Sequence, residues 1–171
     1  MEIEVKAKID DKERVVKALL SLGFTFLRKE FHEDIYFNGI DRDFKETDEA
    51  LRVRDSNGKY FLTYKGPKLD KISKSREEIE VEVKDKEKMI KILEKLGFKK
   101  VRVIKKVREV YKLNDITACI DEVEGLGLFL ELEKEGSLED VEKLLNILDK
   151  LNLRNNIIRK SYLELLEEGI K

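Results

Sequence analysis

The sequence predicts an α+β fold: about eight strands forming a closed or nearly closed antiparallel β-barrel, with helices packed outside it. Three observations carry this expectation. In EIEVKAKI, residues 2 to 9, Glu2, Glu4, Lys6 and Lys8 alternate with Ile3, Val5, Ala7 and Ile9. That is the period of a strand with one charged and one apolar face. DKERVVKALLSLGF (11 to 24) recurs 74 residues later as DKEKMIKILEKLGF (85 to 98), so the chain has two similar halves. In both copies apolar residues fall at helical spacing: Val15, Val16, Leu19, Leu20 and Leu22, then Met89, Ile90, Ile92, Leu93 and Leu96. Each helix therefore carries an apolar stripe that needs a partner.

Each half reads strand, helix, long strand, strand, strand. After the first strand, Asp10 or Asp11 supplies the helix N-cap, and Gly23 sits where a left-handed C-terminal residue belongs. ALRVRD (50 to 55) and GKYFLTYKG (58 to 66) follow the long strand, with a turn at Asn57-Gly58. GPKLDKISKSR (66 to 76) is the most loop-like stretch and joins two strands. EEIEVEV (77 to 83) opens the second half, and Asp85 and Gly97 bound its helix. TACIDE (117 to 122) and GLGLFLELE (125 to 133) follow, with turns at Asn114-Asp115 and at Gly125 and Gly127. The repeat covers about 2–66 and 76–134, and residues 138–151 and 161–168 read as two further helices. A strand alone cannot bury its apolar face, so the halves are expected to share one sheet in a single domain, 1–171.

Composition narrows the function. Charged residues make up 43% of the chain, against about a quarter in ordinary domains, yet the net charge is -1. A strongly basic nucleic-acid footprint is absent, and so is a highly charged disordered composition. Abundant Lys and Glu with a single Pro and a single Cys suit a hot environment. The lone Cys119 excludes an intramolecular disulfide and a Cys-rich zinc site. No apolar run approaches the roughly 18 residues of a membrane span, and no apolar signal region precedes the first strand. The expectation is a soluble cytoplasmic protein with neither a membrane nor a nucleic-acid partner.

The charged strand faces hold Glu2, Glu4 and Lys6; Arg52 and Arg54; Thr63 and Lys65; Arg76, Glu78, Glu80 and Glu82; Lys106 and Arg108; Asp121; Glu131 and Glu133. Two readings compete. Either the apolar faces fill the barrel and the charges meet water, or the barrel is inside out and the charges line a tunnel. The helices favour the second, since a sheet face packed on helices must be apolar. Ions of both signs in one dry interior would each cost several kcal/mol, and a wet, ligand-binding tunnel removes that cost. Carboxylates in Glu-x-Glu pairs suit Mg²⁺ or Mn²⁺. Arg and Lys suit phosphate oxygens. Together they match a metal–polyphosphate complex held without a Gly-rich phosphate loop.

These stretches resemble the CYTH superfamily, the triphosphate tunnel metalloenzymes. Glu2, Glu4 and Lys6 form its E-x-E-x-K strand, and FHEDIYF (31 to 37) resembles its H-x-D-x-Y-F element. EALRVR (49 to 54), LTYKGP (62 to 67) and SREEIEVEV (75 to 83) resemble the L-R-x-R, T-x-K-G and R-x-E-x-E elements. KKVREVY (105 to 111) and ACIDEVEGLGLFLELE (118 to 133) complete the order over nearly the whole chain. The C-terminal element is matched only loosely, by KSYLELL (160 to 166). His-x-Asp with V-E-G-L-G-x-F is closest to the class IV adenylate cyclase branch.

The resemblance implies an eight-stranded tunnel that holds a triphosphate. It implies that Glu2, Glu4, Asp121, Glu131 and Glu133 hold Mg²⁺ or Mn²⁺. By the same resemblance Lys6, Arg52, Arg54, Lys65, Arg76, Lys106 and Arg108 bind phosphate oxygens. Glu78 and Glu80 would act on metal, on purine or on a neighbouring Lys or Arg. Glu2, Glu4, Lys6 and Asp121 are the candidate catalytic set. Three functions stay open: a cyclase converting ATP to 3′,5′-cyclic AMP and pyrophosphate, a triphosphatase, or a non-catalytic polyphosphate or nucleotide binder. A homodimer is implied by resemblance alone. His32 is either an exposed strand residue or, with Asp34, part of the tunnel mouth. Cys119 reads as small packing.

Overall fold

The computed structural model describes residues 1–169; Ile170 and Lys171, the end of the expected 1–171 domain, lie outside the described residues. The first half runs β1 (Glu2–Lys8), α1 (Lys12–Ser21), β2 (Thr25–Asn38), α2 (Phe44–Thr47), β3 (Ala50–Ser56) and β4 (Lys59–Lys65). The second runs β5 (Glu78–Val83), α3 (Lys86–Leu96), β6 (Lys99–Leu113), β7 (Ile116–Val123) and β8 (Gly127–Glu135). α4 (Val141–Lys150) and α5 (Tyr162–Glu168) follow.

The strands make one antiparallel sheet in the order β1-β8-β7-β6-β2-β3-β4-β5. The two halves meet along β2 and β6, which pair from Thr25↔Lys112 to Asn38↔Lys99 with two register shifts. Such irregularities bend a strand pair and help the sheet curl. The edges β1 and β5 share no ladder. Their seam is sealed by the loop before β5: a bridge joins Glu2 and Arg76, and the backbone N–H of Lys74 donates to the Glu4 carbonyl at 2.9 Å. Farther along β1, Ile158 N–H donates to the Lys6 carbonyl at 2.8 Å. Loop and tail thus satisfy an edge that would otherwise be open.

The core lies outside the curl, as the inside-out reading requires. Ile3, Val5 and Ala7 of β1 are fully buried against α1 and α4, together with Ala118, Ile120, Leu130 and Leu132. α3 covers Ile35, Phe37 and Val53 with Ile90 and Leu93. A third cluster, Ile104, Val123 and Phe129 with Tyr162, fills one end of the inner face.

Helix ends follow local chemistry. Asp11, rather than Asp10, caps α1 by accepting from Arg14 N–H, and Asp85 caps α3 by accepting from Lys88 N–H. Asn57, Asn114, Gly125 and Gly127 all take the positive φ that their turns need. One expectation is corrected. The outward face of β5 is not covered, for Ile79 is 59% and Val81 55% exposed. The narrow stripe of α3 is spent on β2 and β3, which leaves the edge strand bare. α2 was not anticipated; four residues are too few to show a helical period. Among the described residues no helix is long and apolar enough to cross a membrane.

Candidate functional site

The curled sheet encloses a cavity of about 910 Å³. Alternation along each strand delivers its charges inward. β1 supplies Glu2 and Glu4, β3 supplies Arg52 and Arg54, and β4 supplies Lys65. Arg76 comes from the seam, Glu78 and Glu80 from β5, Lys106 and Arg108 from β6, and Glu131 and Glu133 from β8. Of the expected site residues only Lys6 and Asp121 do not line the open cavity. Both are fully buried and covered by Tyr162.

The charges form three groups. In the first, Asp34 is fully buried and accepts from Arg54 Nε at 2.7 Å, from Arg54 Nη2 at 2.8 Å and from Lys106 Nζ at 2.8 Å. Burial works to raise the Asp34 pKa, but Arg54 and Lys106 outweigh it and hold the carboxyl well below its usual range. Burial and then Arg54 lower Lys106 to about 7. In the second group Arg108 grips Asp121 with two bonds of 2.7 and 2.8 Å and reaches Glu131 at 2.9 Å. The Tyr162 hydroxyl donates to Asp121 at 2.7 Å and lies 3.2 Å from Glu131.

The third group is looser. Lys65 Nζ is 3.7 Å from Glu2 and 3.8 Å from Glu78, and Arg52 Nη2 is 3.6 Å from Glu80 and 3.8 Å from Glu78. Thr63 bridges Arg52 and Glu80. Glu78 thus lies beside both Arg52 and Lys65, and Glu80 beside Arg52. Among the described residues, buried Lys6 Nζ, Arg52 Nε and Arg76 Nε have no hydrogen-bond partner. Buried donors without acceptors are costly, so these cations point to an anionic ligand.

The five carboxylates expected to hold metal are not gathered at one point. Among the described residues no three His, Cys, Asp or Glu side chains form a ready ligand cluster. Asp121 and Glu131 are turned to Arg108 and Tyr162. Glu2, Glu4 and Glu133 crowd on the neighbouring strands β1 and β8, where Glu4 and Glu133 are register partners. Burial, then Glu2 and Glu4, raise Glu133 to about 8. Crowded oxygen donors, of which Glu133 holds a proton at neutral pH, suit a hard divalent cation, so Mg²⁺ or Mn²⁺ fits this donor set.

His32 is not an exposed strand residue. It is 4% exposed, its Nε2 is 2.8 Å from Glu30, and burial lowers it to about 3, so it is neutral. Cys119 is buried, and burial raises its thiol pKa, as a packing residue requires. Sequence reasoning missed Lys74 and Tyr162. Lys74 lies in the loop, where no alternation marks its direction. For Tyr162 the only signal was the loose match of KSYLELL.

A model of the CYTH domain matches residues 1–164. A provisionally named adenylate cyclase of Methanocaldococcus jannaschii is 63% identical, over 96% of this chain and 98% of its own. The solved structure of the PH1819 protein from Pyrococcus horikoshii OT3 is 44% identical, with a TM-score of 0.89 and 99% of each chain covered. A Hippeastrum protein provisionally named an adenylyl cyclase, described as revealing a dominant triphosphatase activity, shares the fold. It is 23% identical with a TM-score of 0.69, over 99% of this chain and 96% of its own.

Proposed function

The chain belongs to the CYTH domain family, and from that membership we propose that it is a divalent-metal-dependent enzyme acting on organic triphosphates inside its cavity. The reading closest to its relatives is conversion of ATP to 3′,5′-cyclic AMP and pyrophosphate. One observation carries the triphosphate reading: buried Lys6, Arg52 and Arg76 donors without acceptors among the described residues stand in one cavity with carboxylates so crowded that Glu133 keeps its proton.

Lys6, Arg52, Arg54, Lys65, Arg76, Lys106 and Arg108 then bind phosphate oxygens, with Arg52 and Lys65 oriented by Glu78 and Glu80. Glu2, Glu4, Asp121, Glu131 and Glu133 hold the Mg²⁺ or Mn²⁺. When bound, that ion supplies Lewis-acid polarisation of a phosphoryl oxygen. In the cyclase reading the ribose 3′ oxygen attacks the α-phosphorus, and the basic residues stabilise the departing pyrophosphate. The Hippeastrum relative favours a second reading, hydrolysis of the terminal phosphate in the same cage.

The deciding experiment incubates the protein with ATP, and separately with inorganic tripolyphosphate, each with Mg²⁺ or Mn²⁺, and resolves the products. Cyclic AMP with pyrophosphate supports the cyclase. Orthophosphate without cyclic AMP retires it for the triphosphatase. No turnover of either substrate, with binding retained, retires the enzyme in favour of a binding module.

The same reading sets a pH dependence. With its pKa lowered to about 7, ligand-free Lys106 is largely neutral at pH 8. A polyphosphate beside it favours the charged form, so binding takes up a proton. Metal-free tripolyphosphate affinity is therefore expected to fall as pH rises from about 7 towards 9. Calorimetry in buffers of different ionisation enthalpy measures this uptake. The Lys106 share is the part lost in Lys106→Met, and equal uptake in both proteins would remove Lys106 from the site.

A further inference from the structure

The ring of Tyr162 stands among three lysine Nζ groups. Lys6 Nζ lies 3.9 Å from its centroid, Lys106 Nζ 5.7 Å and Lys74 Nζ 5.9 Å. Its hydroxyl meanwhile caps Asp121 beside Glu131. An aromatic face attracts cations, but one ring is a weak partner for three buried lysines, and burial pushes all three towards the neutral amine. Lys6 Nζ has no hydrogen bond among the described residues. Lys74 is 5% exposed, and its ammonium is 3.7 Å from Glu4 and 3.9 Å from Glu131, beyond hydrogen-bond length.

The loop that delivers Lys74 is pinned on both sides of it. Asp70 accepts from Ser73 N–H at 2.7 Å, and Ser73 Oγ donates to Ser75 Oγ at 2.7 Å. Glu4 N–H donates to Ser75 Oγ at 3.2 Å, and Lys74 N–H bonds back to β1. Arg159, just before α5, donates to the Ser73 carbonyl at 3.2 Å. This network presses an ammonium into a cavity where an apolar side chain would pack at less cost. α5 itself is short. Besides Tyr162, it is held by the partly buried Leu163, Leu165 and Leu166 and by two ion pairs, Lys68 with the partly exposed Glu164 at 2.9 Å and Arg102 with Glu167 at 3.3 Å.

We propose that Lys74 is a further substrate-binding residue, completing with Lys6 and Lys106 a three-ammonium subsite for one phosphate group. Tyr162 is the place-holder that this group displaces. A phosphate at the ring's position meets all three ammonium groups, which the ring satisfies only weakly. Withdrawal of Tyr162 also uncaps Asp121 and Glu131. The proposal rests on the triphosphate reading of the cavity.

Calorimetric titration with inorganic tripolyphosphate, without metal, tests it on the full chain. Lys74→Met is expected to weaken binding about tenfold or more, as loss of a charge-assisted contact does. Lys74→Arg keeps the charge and stays within about threefold of the parent. Tyr162→Ala removes the competitor and tightens binding about threefold or more. Unchanged affinity in Lys74→Met, or equal or weaker binding in Tyr162→Ala, overturns the proposal while the triphosphate reading stands. If the parent protein binds neither tripolyphosphate nor ATP, with or without Mg²⁺, the reading itself fails. Should Lys74→Met not fold, Lys74→Gln and Tyr162→Ala decide by the same criteria.

Discussion

Replacing Asp34 by alanine is expected to destabilise the protein by about 3–5 kcal/mol, the scale of a broken buried ion pair. Asp34 is the shared acceptor of Arg54 and Lys106, and its side chain is fully buried. Without it two cations face each other with no counter-ion. The effect depends on pH with a definite sign. The folded-state pKa of Asp34 is depressed, so its stabilisation is present above the ordinary carboxylate pKa of about 4 and is lost as pH falls through the lower folded value. The gap between parent and variant should therefore narrow in acid. Denaturant unfolding at pH 7 and at successively lower pH measures both. A loss below about 1 kcal/mol at pH 7 would mean that the cations find other partners.

Glu131→Gln is expected to lower turnover about 10²–10³-fold, the scale for removing one preorganised electrostatic group. Gln keeps the shape that meets Arg108 and the Tyr162 hydroxyl while removing the charge. Metal-free tripolyphosphate affinity should hold or improve, since one negative charge leaves the cavity. Product formation and calorimetry on the same preparation separate the two effects. Full turnover would take Glu131 out of the metal-holding set. Loss of turnover and affinity together would make its role structural.

The inward charges were legible because a strand side chain's face follows its parity. Once EIEVKAKI is a strand, Glu2, Glu4 and Lys6 share a side, and the helical stripes decide which side is dry. The same logic failed on β5. Ile79 and Val81 have the right parity, yet parity does not say whether a helix reaches the edge. The metal set was legible as residue types but not as a cluster. Pairing of Asp121 and Glu131 with Arg108 depends on register across three strands, which no local pattern records. His32 shows the converse: its inward parity was readable, but its depth in the curl and its neutral state beside Arg54 and Lys106 were not.

By itself the sequence determined the repeat, the order of elements, the inside-out distribution of charge and most of the strand charges that line the cavity. These follow from periods of 2 and 3.6 residues, which act over a few neighbours. Tertiary structure alone decided how the curl is sealed, and so which side chains fill its interior at rest. Lys74 reaches Glu4 from 70 positions away along an aperiodic loop, and Tyr162 reaches Asp121 across 41. Neither lies on a strand whose alternation could announce its direction. Their placement comes from satisfying the open edge of β1, a demand that exists only once the sheet has curled.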